Sequence, residues 1–125
     1  MRALIVDDSR FVRGFLRGML EVRGIACEEA ADGRAALELL HGDLTFELAL
    51  VDWNMPVMNG LEFVTSVRAD PTYDDMVIVM VTTETETSQM LKALDAGAND
   101  YIMKPFTDEI IAERLMLLGI QEQTV

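Results

Sequence analysis

Little in this chain could cross-link it, build a structural metal site or carry it into a membrane. Among 125 residues there is one cysteine, Cys27, and one histidine, His41. A single cysteine closes no intrachain disulfide, and one Cys with one His falls short of the four ligands of a structural zinc site. A reducing compartment is expected, with a cytoplasmic location. The early apolar stretch Leu4-Ile5-Val6 is too short for a signal-peptide core, and no apolar run reaches membrane-spanning length. Cations are also scarce: 10 Lys and Arg stand against 22 Asp and Glu, for a net charge of -12. Nucleic-acid affinity comes largely from basic side chains displacing counterions, so nucleic acid is not an expected partner, and neither is a membrane. Prolines number three, Pro56, Pro71 and Pro105, and each stands where an apolar pattern breaks.

What is present reads as one domain, residues 1–125, long enough to bury roughly two thirds of its unfolded surface without covalent staples. Strand and helix patterns alternate. Strands are predicted at Ala3 to Val6, Cys27 to Ala30, Leu48 to Val51, Met76 to Val81 and Asp100 to Met103. The first helix begins near Ser9, carries Phe11, Val12, Phe15, Leu16, Met19 and Leu20 as an apolar stripe opposite the arginines, and stops at Gly24. Asp32-Gly33 reads as a turn before a short helix, Ala35 to Leu40. The third helix carries Leu61, Phe63, Val64 and Val67 up to Asp70-Pro71. The fourth runs from about Thr87 to Ala96 and ends at Gly97. Thr107 caps the last, whose inward stripe is Ile110, Ile111, Leu115 and Leu118. Five strand-helix repeats with right-handed crossovers make a three-layer α/β fold, a parallel sheet with helices on both faces.

The chemistry gathers where the strands end. Leu48 to Gly60, LALVDWNMPVMNG, is an apolar strand that breaks into a turn, with Asp52 at the hinge. Asp7, Asp8, Asp52, Thr82 and Lys104 all follow predicted strands, and a parallel sheet points those ends one way. In the flavodoxin-like strand order 2-1-3-4-5 the first and third strands are neighbours, so Asp7, Asp8 and Asp52 converge. Three carboxylates so close repel one another. Either one or more stays protonated or a hard divalent cation holds them, and Mg²⁺ is the economical choice.

Val6-Asp7-Asp8-Ser9, VDWNMPVMNG, the VTT at Val81 to Thr83 and the KPF at Lys104 to Phe106 together resemble the receiver domain of response regulators. The likeness spans the chain, with the motifs in order. Among receivers it looks most like the single-domain CheY-like chemotaxis regulators, on DWNMP, Glu84 and Tyr101. The resemblance implies a (βα)5 fold in which Asp52 accepts a phosphoryl group from a histidine kinase. It implies Mg²⁺ held by Asp8 and Asp52 directly, by Asp7 through water and by the backbone carbonyl of Asn54. Lys104 would bind a phosphoryl oxygen, presented by a cis Lys104-Pro105 bond. Thr82 and Tyr101 would form the switch, Tyr101 turning inward on phosphorylation, while Asn54, Glu84 and Thr83 tune the lifetime of the phosphoryl group. The implied partners are a CheA-like kinase or its phosphodonor domain, a downstream protein such as a flagellar motor switch, and a phosphatase. The chain itself is expected to be a monomer and not an enzyme beyond self-phosphorylation and autodephosphorylation.

Phosphorelay intermediate and phosphate sink are alternatives within the same class. A Mg²⁺-dependent aspartyl-phosphate phosphatase would place its nucleophile after the first strand with a second Asp two residues later, where this chain has Ser9. A flavodoxin-like electron carrier would need a Ser/Thr/Gly-rich loop where this chain has Asp7-Asp8. Thr83 departs from the small residue that receivers usually carry there and narrows the approach to Asp52. Arg10, Arg13, Arg17 and Arg23 concentrate positive charge on the first helix beside Gly14 and Gly18, a candidate docking face.

Overall fold

The computed structural model describes residues 1–83 and 86–120. Five parallel strands, β1 (Arg2–Val6), β2 (Ala26–Ala30), β3 (Leu48–Val51), β4 (Val77–Thr82) and β5 (Asp100–Met103), form one sheet in the order β2-β1-β3-β4-β5. The helices are α1 (Arg10–Val22), α2 (Gly33–Leu40), α3 (Gly60–Arg68), α4 (Thr87–Ala96) and α5 (Asp108–Leu117), with a 3-10 turn at Pro71–Tyr73. Register places Val6 beside Val51 and, on the other side, Ala30. The carboxyl ends of β1 and β3 are therefore level, which is what brings their following aspartates together.

Every residue of β3 is buried, as expected of a central parallel strand covered on both faces. Alternation along the strands divides the core in two. Leu4, Val6, Ala49 and Val51 face Ala36, Leu40, Phe63, Val64, Val67 and Ala93 of α2, α3 and α4. Ala3, Ile5, Leu48 and Leu50 face Leu16, Met19 and Leu20 of α1 and Ile111 and Leu115 of α5. The observed elements start or stop within one or two residues of the expected ones, the ordinary uncertainty of element ends.

Two expectations about helix faces are corrected. In α1 the inward row is Leu16, Met19 and Leu20, whereas Phe11 is 81% and Phe15 48% exposed. Two adjacent rows of this helix are apolar, and periodicity alone does not say which one meets the sheet. Phe15 instead packs obliquely on Phe106, with ring centroids 5.9 Å apart. In α5 Ile110 is exposed while Ile111 and Leu115 are buried.

The turn residues prove to be helix caps. Asp32 accepts from the Ala35 amide at 2.8 Å, so α2 begins at Gly33. Asn59 and Glu62 form a reciprocal capping box at the start of α3, each side chain accepting from the other's backbone N–H. That box fixes where the chain leaves the loop after β3.

Candidate functional site

Four loops meet above the carboxyl edge of β1, β3, β4 and β5. Asp7, Asp8 and Asp52 each offer a carboxylate oxygen within 4.8 Å of the others, Asp7 and Asp52 buried and Asp8 exposed. The backbone imposes this placement. The Asp7 amide donates to Ala30 O at 3.1 Å and the Asp52 amide to Val6 O at 2.8 Å, which continues the sheet one residue past each strand. Ser9 caps α1 and its amide donates to Asp7 Oδ1 at 2.8 Å.

Lys104 reaches in from the end of β5. Its Nζ lies 2.8 Å from Asp7 Oδ2 and 3.8 Å from Asp52 Oδ2, and its amide is tied to Thr82 O at 2.8 Å. The Lys104-Pro105 bond is cis. Asp52 also accepts from the Trp53 amide at 2.9 Å and from the Thr82 side chain. Burial pushes the Asp52 carboxyl above its ordinary range, and the Asp7 charge adds to this. The Thr82 and Trp53 hydrogen bonds and the Lys104 charge pull the other way. One ammonium thus faces three carboxylates. A hard divalent cation fits this donor set, because it would offset both the burial of the Asp52 charge and the neighbouring Asp7 charge that hold the Asp52 carboxyl high. Asp7, Asp8 and Asp52 are the side chains that would hold it.

The structure brings together Asp7, Asp8, Asp52, Lys104 and Thr82. Asn54 and Thr83 are exposed, and Glu84 lies outside the described residues. Trp53, next to Asp52 in the chain, is buried in the core. Thr82 is fully buried with its side chain on the Asp52 carboxylate, and Tyr101 is only 6% exposed. An ionised carboxylate is itself a good acceptor, which gives the Thr82 hydroxyl a reason to lean toward it.

Three of the four arginines along the first helix and its cap are paired within the fold. Arg13 and Arg17 pair with Glu29 of β2 at 3.0 and 3.2 Å, and Arg23 pairs with Asp108 at 2.8 Å. Their charge is used within the fold. Gly14 and Gly18 instead line an open groove with Phe15, Val22 and Asp108.

Two features of the site escaped the sequence. Gly60 begins α3 directly against the carbonyl of Asp52, where a Cβ would lie 2.2 Å from the oxygen. Val57 has φ 68°, and the amide of Met58 donates to Pro56 O at 2.7 Å. This is a γ-turn with a positive central φ, a strained form that a β-branched residue adopts poorly. Met55, Pro56 and Asn59-Gly60 signal a turn in this stretch, but not one centred on Val57.

Comparison with known proteins agrees with this architecture. The model of the response regulator receiver domain matches residues 3–116. The chemotaxis protein CheY homolog of Campylobacter jejuni is 44% identical over 116 residues, covering 92% of this chain and 89% of that protein. The chemotaxis protein CheY of Pseudomonas aeruginosa is 38% identical over 116 residues, covering 92% and 93%. The solved structure of the chemotaxis response regulator CheY4 of Vibrio cholerae superposes with a TM-score of 0.87 at 37% identity, over 94% of this chain and 97% of that one. The chain belongs to the response regulator receiver domain family and, within it, is CheY-like. No described helix is long and apolar enough to cross a membrane.

Proposed function

We propose that this protein is the phosphoacceptor switch of a two-component chemotaxis system, modified on Asp52 by a histidine kinase with Mg²⁺ bound at Asp7, Asp8 and Asp52. The observation that carries the reading is the placement of Lys104, with Nζ 2.8 Å from Asp7 and 3.8 Å from Asp52. A buried carboxylate with an adjacent cation and a hydroxyl donor suits in-line phosphoryl transfer, which depends on alignment and charge neutralisation more than on acid–base chemistry. An ionised Asp52 needs no general base. One carboxylate oxygen attacks phosphorus, the bond to the donor nitrogen of phosphohistidine breaks, and the leaving imidazole keeps the electron pair and is protonated from solvent. When bound, Mg²⁺ supplies further neutralisation of the phosphoryl oxygens. Lys104 takes one of those oxygens, and the Thr82 hydroxyl donates to another.

Phosphorylation shifts the population toward one arrangement, in which the Thr82 hydroxyl serves a phosphoryl oxygen and Tyr101 lies inward. The surface it sets is the α4–β5–α5 face, where Met90, Tyr101, Met103, Ile110 and Arg114 line a shallow groove. A downstream protein such as a flagellar motor switch would read that face. Asn54 and Thr83, exposed beside Asp52, govern water access and hence lifetime, together with Glu84.

The test is labelling by a small acyl phosphate with Mg²⁺, read by intact mass and by the fluorescence of Trp53. Wild type should gain one phosphoryl group, lose it within seconds to minutes on donor removal, and lose it faster as Thr83→Ala. Asp52→Asn should gain none. Equal labelling of Asp52→Asn would sink the assignment, and a phosphoryl group that persists for hours would move the reading to a relay or phosphate sink.

A further inference from the structure

Asp8 is exposed, so its position depends on the peptide that joins it to Asp7. That peptide is held from outside the acidic cluster. Arg13 Nη1 donates to the carbonyl oxygen of Asp7 at 2.7 Å, and Arg13 Nε pairs with Glu29 Oε1 on β2 at 3.0 Å. The Arg13 side chain is only 16% exposed, and it leaves the first turn of α1, whose backbone is fixed by the Arg13 amide on Ser9 O at 3.0 Å. Helix, edge strand and loop are thus joined by one planar fork. The orientation of the Asp7–Asp8 peptide plane sets where both carboxylates start, and a charge-assisted bond of this length resists its rotation.

We infer that Arg13, anchored by Glu29, is a positioning residue for divalent-cation binding: it fixes the peptide between Asp7 and Asp8 without touching the ion. The inference rests on the metal reading above. Groups that hold metal ligands from behind commonly change affinity 10- to 100-fold when removed. Lysine keeps the charge but cannot serve the Asp7 carbonyl and Glu29 together, because it lacks the fork.

Arg17 supplies the control. It also pairs with Glu29, at 3.2 Å, and donates to Cys27 O, but it makes no bond to Asp7. Mg²⁺ alone is titrated into wild type, Arg13→Ala, Arg13→Lys, Glu29→Gln, Arg17→Ala and Asp8→Asn, with Trp53 fluorescence and the metal-induced rise in Tm as readouts. Arg13→Ala is expected to weaken Mg²⁺ roughly tenfold, Arg13→Lys and Glu29→Gln a few-fold. Arg17→Ala should lose stability while keeping wild-type affinity. Should Arg13→Ala not fold, Arg13→Lys and Glu29→Gln decide. Wild-type affinity in the Arg13 and Glu29 variants, with Asp8→Asn impaired, would overturn this inference alone, as would an equal loss in Arg17→Ala. No response to Mg²⁺ in wild type would overturn it together with the metal reading.

Discussion

Replacing Gly60 by alanine tests how tightly the acceptor loop is built. A Cβ at Gly60 would lie 2.2 Å from Asp52 O, 3.0 Å from the carbonyl carbon of Asp52 and 2.9 Å from Met80 Cε. The Met80 methyl can swing away. The Asp52 carbonyl has less freedom, because its residue is tied to β1 through the Asp52 amide on Val6 O at 2.8 Å and Gly60 is tied back through its own amide on Trp53 O at 2.9 Å. Real Cβ atoms essentially never approach closer than 3.0 Å, so backbone must move by about 0.8 Å. Forcing atoms into a packed site costs roughly 1–3 kcal/mol, and the alanine recovers about 0.4–1 kcal/mol through the unfolded chain. The net loss is about 2 kcal/mol, strain lying on the high side of its range because the obstruction is backbone. With an unfolding entropy of ~2.1 cal/mol/K per residue, that lowers Tm by about 8 °C for a chain of this length. Thermal unfolding by circular dichroism measures it. Gly33→Ala is the comparator: its Cβ would meet Met58 Cγ at 2.8 Å and Met58 O at 3.0 Å, mostly a flexible side chain, so it should lose about 1 kcal/mol or less. Gly60→Ala as stable as wild type, or Gly33→Ala as damaging as Gly60→Ala, would refute the reasoning.

Two further outcomes follow from the same site. The Asp52 carboxyl is held above its ordinary range, chiefly by burial, so ionising it costs folding stability; the penalty is absent below the unfolded value near pH 3.8, grows as pH rises toward the folded value and is then constant. Without metal, Asp52→Asn should therefore be more stable than wild type at pH 7, with the gap closing toward pH 4, and Tm against pH for both proteins checks the sign. Val57→Gly should stabilise by about 1 kcal/mol, the relief of a β-branched residue at positive φ exceeding the extra entropy of glycine; Val57 is 74% exposed, so little packing is lost, and a lower Tm would refute the strain.

The parts of the architecture that rest on pattern and strand polarity were legible in the chain. An unbroken apolar run at Leu48 to Val51 implies a doubly covered strand, and parallel strands oblige Asp7, Asp8, Asp52, Thr82 and Lys104 to share one edge. Helix faces were less legible where two neighbouring rows are apolar, as with Phe11 and Phe15 beside Leu16 and Met19. The role of Arg13 was not legible, because arginines at helical spacing read as an outward face open to a partner until β2 brings Glu29 beside Arg13. The tight seat of Gly60 depends on where α3 starts relative to Asp52, which Asn59-Gly60 taken as a plain turn does not reveal. Asn59 followed three residues later by Glu62 did carry the capping signal.

The isolation of Cys27 also decides how the protein can be handled. The thiol is 5% exposed and its pKa is pushed up to about 11, first by burial and then by Glu21. At pH 7.5 a thiol of that pKa is ionised about three times in ten thousand, and the thiolate is the form that alkylates and oxidises. The natural chain is thus a silent background for maleimide chemistry. A cysteine placed at exposed Met116 or Leu117 would take a spin label or fluorophore alone, with no need to remove Cys27 from the core.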